Sequence, residues 1–289
     1  MRIRTHRTKA IAAAASAALV VATVAVTAAA PAQAAASHTV KVKMSDRSIT
    51  FSGGGSTTAN GVTSIHSGRY TFHVVSPSGD HFLQLIRFKN GYTAQQAQGD
   101  FGKAFSGDVK AVQALDNGVV FRGGAEAKPK HPGDMVVVLK PGHFMAIDQN
   151  GDAVAQLDVV GHPVSPSLGE HSGTYTAFSY GWGVSKHLPA AGTVKVTNQA
   201  DQPHFLVLQH VKSTTTNKMV RDFIKSGGNG NPSWGLKASA ESGVVSPNKD
   251  QLVSYNLPPG KYLVACFWPD YFTGMPHMFM GMWKLVTLH

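Results

Sequence analysis

A chain of 289 residues with 15% charged and 43% hydrophobic residues can bury a sizeable core, which excludes a disordered polyelectrolyte. Its formal net charge of +10 comes from scattered basic residues without a nucleic-acid motif; an acidic cell-surface polymer is a conceivable partner and nucleic acid is not. The single cysteine, Cys266, rules out an internal disulfide, so its thiol is either buried and inert or used for something.

The first segment reads as an export signal. Arg2, Arg4, Arg7 and Lys9 precede an uncharged run, Ala10 to Ala30, that ends at Pro31. Ala32-Gln33-Ala34 and Ala34-Ala35-Ala36 then offer the small-x-small pattern of a cleavage site. A removable signal peptide over 1–36 is predicted, with no membrane span after cleavage and a secreted, extracellular mature chain. No adjacent arginine pair is present, which favours general secretion over twin-arginine export.

Downstream, short apolar stretches alternate with Gly and Pro turns. Gly68–Val75 and Gly192–Asn198 alternate like half-buried strands, and His81–Phe88 and His204–Val211 read as apolar strands. Thr93–Phe105 and Asn217–Lys225 have helical character. Met135–Lys140 and Gln251–Leu257 are strand-like, and Pro-Gly turns lead into Phe144–Asp148 and Tyr262–Trp268. Gln156–Val160 and Trp283–Leu288 close the two series.

Those series form an internal repeat. Gly79-Asp80-His81-Phe82-Leu83 aligns with Gln202-Pro203-His204-Phe205-Leu206, Asp100-Phe101 with Asp222-Phe223, and Pro141-Gly142-His143-Phe144 with Pro259-Gly260-Lys261-Tyr262. Three matches in one order at nearly constant offset indicate duplication. The expectation is an all-β protein of two tandem Greek-key β-sandwich domains, each with a short helical insertion. They span 37–161 and 174–289, with a Pro/Ser/Gly/His-rich connection between them.

The last turn of the second copy carries Cys266 at a strand end, His277 on the following loop and Met282 five residues beyond, while His204 begins an upstream strand. In these residues the chain resembles the cupredoxin superfamily, and the His277-x4-Met282 ending resembles the plastocyanin pattern. The resemblance implies a copper site made by His204, Cys266, His277 and Met282. A thiolate and two imidazoles with a weak thioether suit copper in both oxidation states. Ten residues separate Cys266 from His277, more than blue-copper loops usually have. Met275, His277, Met278, Met280 and Met282 also form a soft-ligand run that could hold Cu(I) without redox cycling. The first copy keeps His81 but has Asp148 opposite Cys266, and no His or Met follows from Gln149 to Gln156.

Two functions remain open. One is a copper protein, either electron carrier or extracellular copper binder, with a redox or copper-delivery partner protein. The other is a metal-free two-domain module that binds a cell-surface polymer or a protein. The two are separated by whether Cys266 faces the histidines or turns into the core. Gly-x-Ser-x-Gly, His-Glu-x-x-His and phosphate-loop motifs are absent, and no His-x-His pair is present for a trinuclear copper cluster. On those grounds no enzymatic activity is expected.

Overall fold

The computed structural model describes residues 38–289, apart from 59, 60, 90 and 229. The signal-peptide reading of 1–36 lies outside the described residues. Among the described residues, no helix is long and apolar enough to cross a membrane.

The N-terminal half contributes β1 (His38–Ser45), β2 (Ser48–Ser52), β3 (Gly55–Thr57), β4 (Thr63–His66), β5 (Gly68–Val75) and β6 (His81–Phe88). Helices α1 (Ala94–Phe105) and α2 (Val109–Gly118) follow, then β7 (Val119–Ala127), β8 (Gly133–Leu139), β9 (Gly142–Asp148) and β10 (Val154–Val160). The C-terminal half contributes β11 (Thr174–Phe178), β12 (Gly181–Val184), β13 (Ala191–Asn198), β14 (Val207–Val211), α3 (Asn217–Lys225), β15 (Gly235–Glu241), β16 (Asp250–Asn256), β17 (Gly260–Ala265) and β18 (Trp283–Leu288).

The all-β expectation holds. Alternation decides the faces: β5 buries Gly68, Tyr70, Phe72 and Val74 and leaves the residues between them partly exposed. The strands assemble into an eight-stranded sheet, β12-β11-β13-β16-β8-β5-β1-β2, a six-stranded sheet, β3-β4-β10-β9-β6-β7, and a four-stranded sheet, β15-β14-β17-β18. The eight-stranded sheet crosses from one half to the other where β16 pairs with β8, Leu252 opposite Val136. One large apolar core runs through both halves and all three sheets, and a smaller cluster lies between α3 and the four-stranded sheet.

Buried amides seal the seam between the halves. Gln84 Nε2 donates to the carbonyls of Gly123 and Val244, and its Oε1 accepts from the Val244 N–H. Gln251 Oε1 accepts from the Gly124 N–H while its Nε2 donates to the Gly243 carbonyl. A Cβ on Gly243 would sit 1.9 Å from the Gly124 nitrogen, so the two backbones meet as closely as they do because Gly243 has no side chain.

Two expectations are revised. The strand placed at His204–Val211 shortens to β14, because the segment 242–246 takes over the backbone ahead of it. His204 N–H donates to the Val245 carbonyl and Leu206 N–H to Ser242 Oγ. The N-terminal half also has two helices where one helical insertion was expected. α2 is capped by Asp108, whose side chain accepts from the Lys110 and Ala111 N–H groups.

Candidate metal centre

β17 ends at Ala265 and delivers Cys266 to the end of the four-stranded sheet. The long loop that follows does not carry His277 away. Pro269 and Pro276 form a bridge that closes the excursion at its neck, and His277 N–H donates to the Trp268 carbonyl at 2.9 Å. Within the excursion, Asp270 Oδ1 accepts from the N–H groups of Phe272 and Thr273 and from the Thr273 hydroxyl. Beyond it, a 3₁₀ turn, His277–Met280, ends at Gly281 with φ 104°, a left-handed conformation suited to glycine. That reversal brings Met282 back: its N–H donates to the His277 carbonyl (3.0 Å) and its carbonyl accepts from Cys266 N–H (3.3 Å).

Three of the four residues singled out in the sequence converge through their side chains. Cys266 Sγ lies 3.5 Å from His204 Nδ1 and 3.8 Å from His277 Nδ1, and the two Nδ1 atoms are 3.0 Å apart. Among the described residues this is the one His/Cys/Asp/Glu group whose donor atoms all lie close enough to hold a metal ion. A triangle with those sides has a circumradius of about 2 Å, close to first-row metal–ligand distances of about 2.0–2.3 Å. The donor set and its span therefore fit a copper ion. Met282 is fully buried beside the set.

The protons are placed by the surroundings. Gln202 Oε1 accepts from the Tyr271 N–H (2.7 Å), and Gln202 Nε2 donates to Asp270 Oδ2 (3.0 Å). An obligate donor on one side and a carboxylate on the other fix the orientation of this amide. His277 Nε2, 3.2 Å from the same Oε1, therefore carries a proton, which leaves the lone pair on Nδ1, pointing at Cys266 and His204. Tyr180 braces the network by donating to Asp270 Oδ2 (2.9 Å), and its ring meets the His277 ring edge to face.

Burial pushes the Cys266 thiol up to about 12, against the opposing pull of the backbone N–H groups of Phe205 and Trp268. Burial also lowers both imidazoles, His277 to about 4 and His204 well below its ordinary value, the latter helped by its proximity to His277. Without a metal the set is thus a neutral thiol and two neutral imidazoles. Only the thiol has a proton to lose on binding. Burial raises Asp270, but hydrogen bonds from Gln202, Thr273 and Tyr180 outweigh it and hold the carboxylate at about 2.

Residues the sequence reading passed over support the set. Gln202 and Asp270 orient His277. Trp268 is fully buried, packs edge-on against Phe121 and Phe105, and donates from Nε1 to Asp116 Oδ1 (3.2 Å). The loop that carries Cys266 and His277 is thereby pinned to α1, α2 and β7 of the other half. A signal for Gln202 was present, because it stands opposite Gly79 in the repeat alignment and so departs from the copy that lacks the donor set. The methionine run does not converge. Met278 belongs to a separate apolar cluster with Val211, Val220 and Trp234, and Met275 is exposed.

A buried Cys is flanked by two Nδ1 donors, one from the approach to a strand and one from the loop between the last two strands. That arrangement, on an all-β chain, is cupredoxin-like. No protein-family profile matches the chain, and no curated protein matches it. Among solved structures it is similar to auracyanin A, a "blue" copper protein from Chloroflexus aurantiacus, at 11% identity over 43% of this chain and 100% of that one, TM-score 0.29. A copper nitrite reductase from Nitrosomonas europaea is 10% identical over 88% and 94%, TM-score 0.24. A multi-copper oxidase from Pediococcus acidilactici is 11% identical over 89% and 59%, TM-score 0.21. At such scores these likenesses carry no argument about activity. The expectation of no enzymatic activity is nonetheless withdrawn: a nitrite reductase and an oxidase stand among the similar structures, and a lack of hydrolase and trinuclear-copper motifs does not by itself exclude catalysis.

Proposed function

We propose that this chain is an exported copper protein whose centre accepts and releases single electrons. His204, Cys266 and His277 serve as the principal ligands and Met282 as the weak axial one. The observation that carries the proposal is the buried triangle of Cys266 Sγ and the two Nδ1 atoms, all within 3.8 Å of one another. Copper in such a set supplies a one-electron couple, tuned by the hydrogen bonds to the sulfur and by the axial donor.

The protein's own residues prepare that chemistry. Gln202 holds the Nε2 proton of His277, so Nδ1 stays a donor without rearrangement. Trp268 N–H, 3.5 Å from Cys266 Sγ, stabilises negative charge on the sulfur. Complete burial of Cys266, His204 and His277 excludes water from all three. Export is supported by the basic, alanine-rich leader and its small-x-small sites. The partner is a redox protein. A metal-free binding module would have Cys266 turned into the core away from both histidines, whereas its sulfur faces both.

The test is Cu(II) addition to the purified mature protein, followed by visible absorption and by metal content after dialysis. An intense visible band that Cys266→Ala removes is expected. Failure to retain copper after dialysis overturns the proposal.

A further inference from the structure

A second site lies on the seam between the halves, and none of the residues lining it belongs to the copper set or its hydrogen-bonded supports. It is a cavity of about 500 Å³ between β6, β7, β8, β13, β16 and the connecting segment 165–169. Its walls bring together five cations, Arg87, Arg122, Lys140, Lys195 and Lys249, against one carboxylate, Asp250. Asp250 is already engaged by Lys195 (3.1 Å). Among the described residues, Arg87, Arg122, Lys140 and Lys249 have no carboxylate within ion-pair distance.

Like charges do not gather in a recess without cost. Arg122 is held along the wall by a bond from Nη2 to the Val138 carbonyl (2.6 Å). Its pKa is lowered by burial, against the opposing pull of Asp250, and further by Arg87; that of Lys249 is lowered by burial and then by Arg122, Lys140 and Arg87, with Asp250 again opposing. An anion in the cavity relieves that repulsion, and planar guanidinium groups match the paired oxygens of phosphate or carboxylate.

We infer that this cavity binds a small oxyanion carrying two or more negative charges. Its volume suits a small molecule rather than a stretch of polymer, and the requirement for multiple charges follows from four cations without a carboxylate at ion-pair distance.

The probe is inorganic diphosphate, titrated calorimetrically into the full chain and, to remove copper chelation as a source of heat, into its Cys266→Ala variant. Saturable binding is expected in both. The double variant Arg87→Gln/Lys249→Gln should weaken it at least tenfold, while the charge-matched Lys218→Gln/Lys225→Gln on α3 leaves it unchanged. Thermal melts of each variant check that the fold persists. Absence of saturable binding, equal affinity in the cavity variant, or equal weakening by the α3 variant overturns the inference.

Discussion

Asp148 Oδ2 lies 2.6 Å from His81 Nδ1, and these two residues occupy the positions in the N-terminal half that Cys266 and His204 take in the C-terminal half. The strand registers support the correspondence. β6 and β9 set Leu83 opposite Asp148, and β14 and β17 set Val207 opposite Ala265, one step short of the aligned pair Leu206 and Cys266. One copy of the stem thus holds a buried hydrogen-bonded pair where the other holds a donor set. His81 and His204 share a place in the fold without sharing a role.

Asp148 is therefore expected to be structural. It accepts from His81 and from the N–H groups of Phe82 and Asn150. Asp148→Ala leaves a buried imidazole and a strand N–H without their acceptor, a change that costs about 3 kcal/mol. Urea unfolding should show the midpoint falling with m unchanged. The copper absorption of the folded variant should equal that of the wild type; a lost band would mean that the pair acts on the centre.

Gln202 connects the centre to the loop that carries it. Gln202→Leu removes the acceptor for His277 Nε2–H and the donor to Asp270, while filling similar volume. Copper affinity should fall about 10–100-fold, as when such a hydrogen-bonded support of a ligand is lost. The visible band should persist in shape, since all four proposed ligands remain. Competition against a chelator of known affinity reads the first effect and absorption the second. Unchanged affinity would show that packing alone orients His277.

How much of this was legible in the sequence depends on how local each signal is. β6, β5 and β18 fall where alternation and apolar runs put them, because the alternation of β5 and the continuous apolar run of β6 are both local signals. The donor residues were legible because Cys266, His277 and Met282 share one loop. The shortened β14 was not, since it depends on Ser242 and Val245 arriving from forty residues downstream to take the backbone at 204–206. The long Cys266–His277 loop looked like a departure from a compact site for the same reason. Its length serves a non-local contact, Trp268 against Phe121, with the remainder pinched off between Pro269 and Pro276. The Gln84 and Gln251 seam was invisible too, because a lone glutamine in a strand pattern carries no sign of burial.

Metal uptake should release one proton. The thiol of Cys266 is held near 12 and His277 near 4, so between about pH 5 and 9 the metal displaces a single proton, from sulfur. The logarithm of apparent Cu(I) affinity should rise by about one per pH unit across that range. Below about pH 4 the slope should steepen as His277 also protonates. Chelator competition at several pH values measures it. A slope near zero would mean that the sulfur is not a ligand.

The final expectation concerns Asp116, which accepts from Trp268 Nε1 on one oxygen and has no partner for the other, buried one. Burial raises its pKa to about 7, against the lowering effects of the Trp268 hydrogen bond and of Lys89. The native protein therefore keeps a proton that the unfolded chain gives up near pH 4. Between about pH 4 and 7 the native state binds more protons than the unfolded one, so this group's contribution to stability is complete below that window and lost as pH rises through it. Asp116→Asn stays neutral at every pH and can still accept from Trp268. Its melting temperature relative to wild type should be flat below about pH 4 and climb toward pH 7. The climb should amount to several degrees, because one pKa unit is worth about 1.4 kcal/mol and a chain of this size moves about 2–4 °C per kcal/mol. A difference that does not change with pH would mean Asp116 is ionised in the native protein, with Lys89 rather than a proton neutralising it.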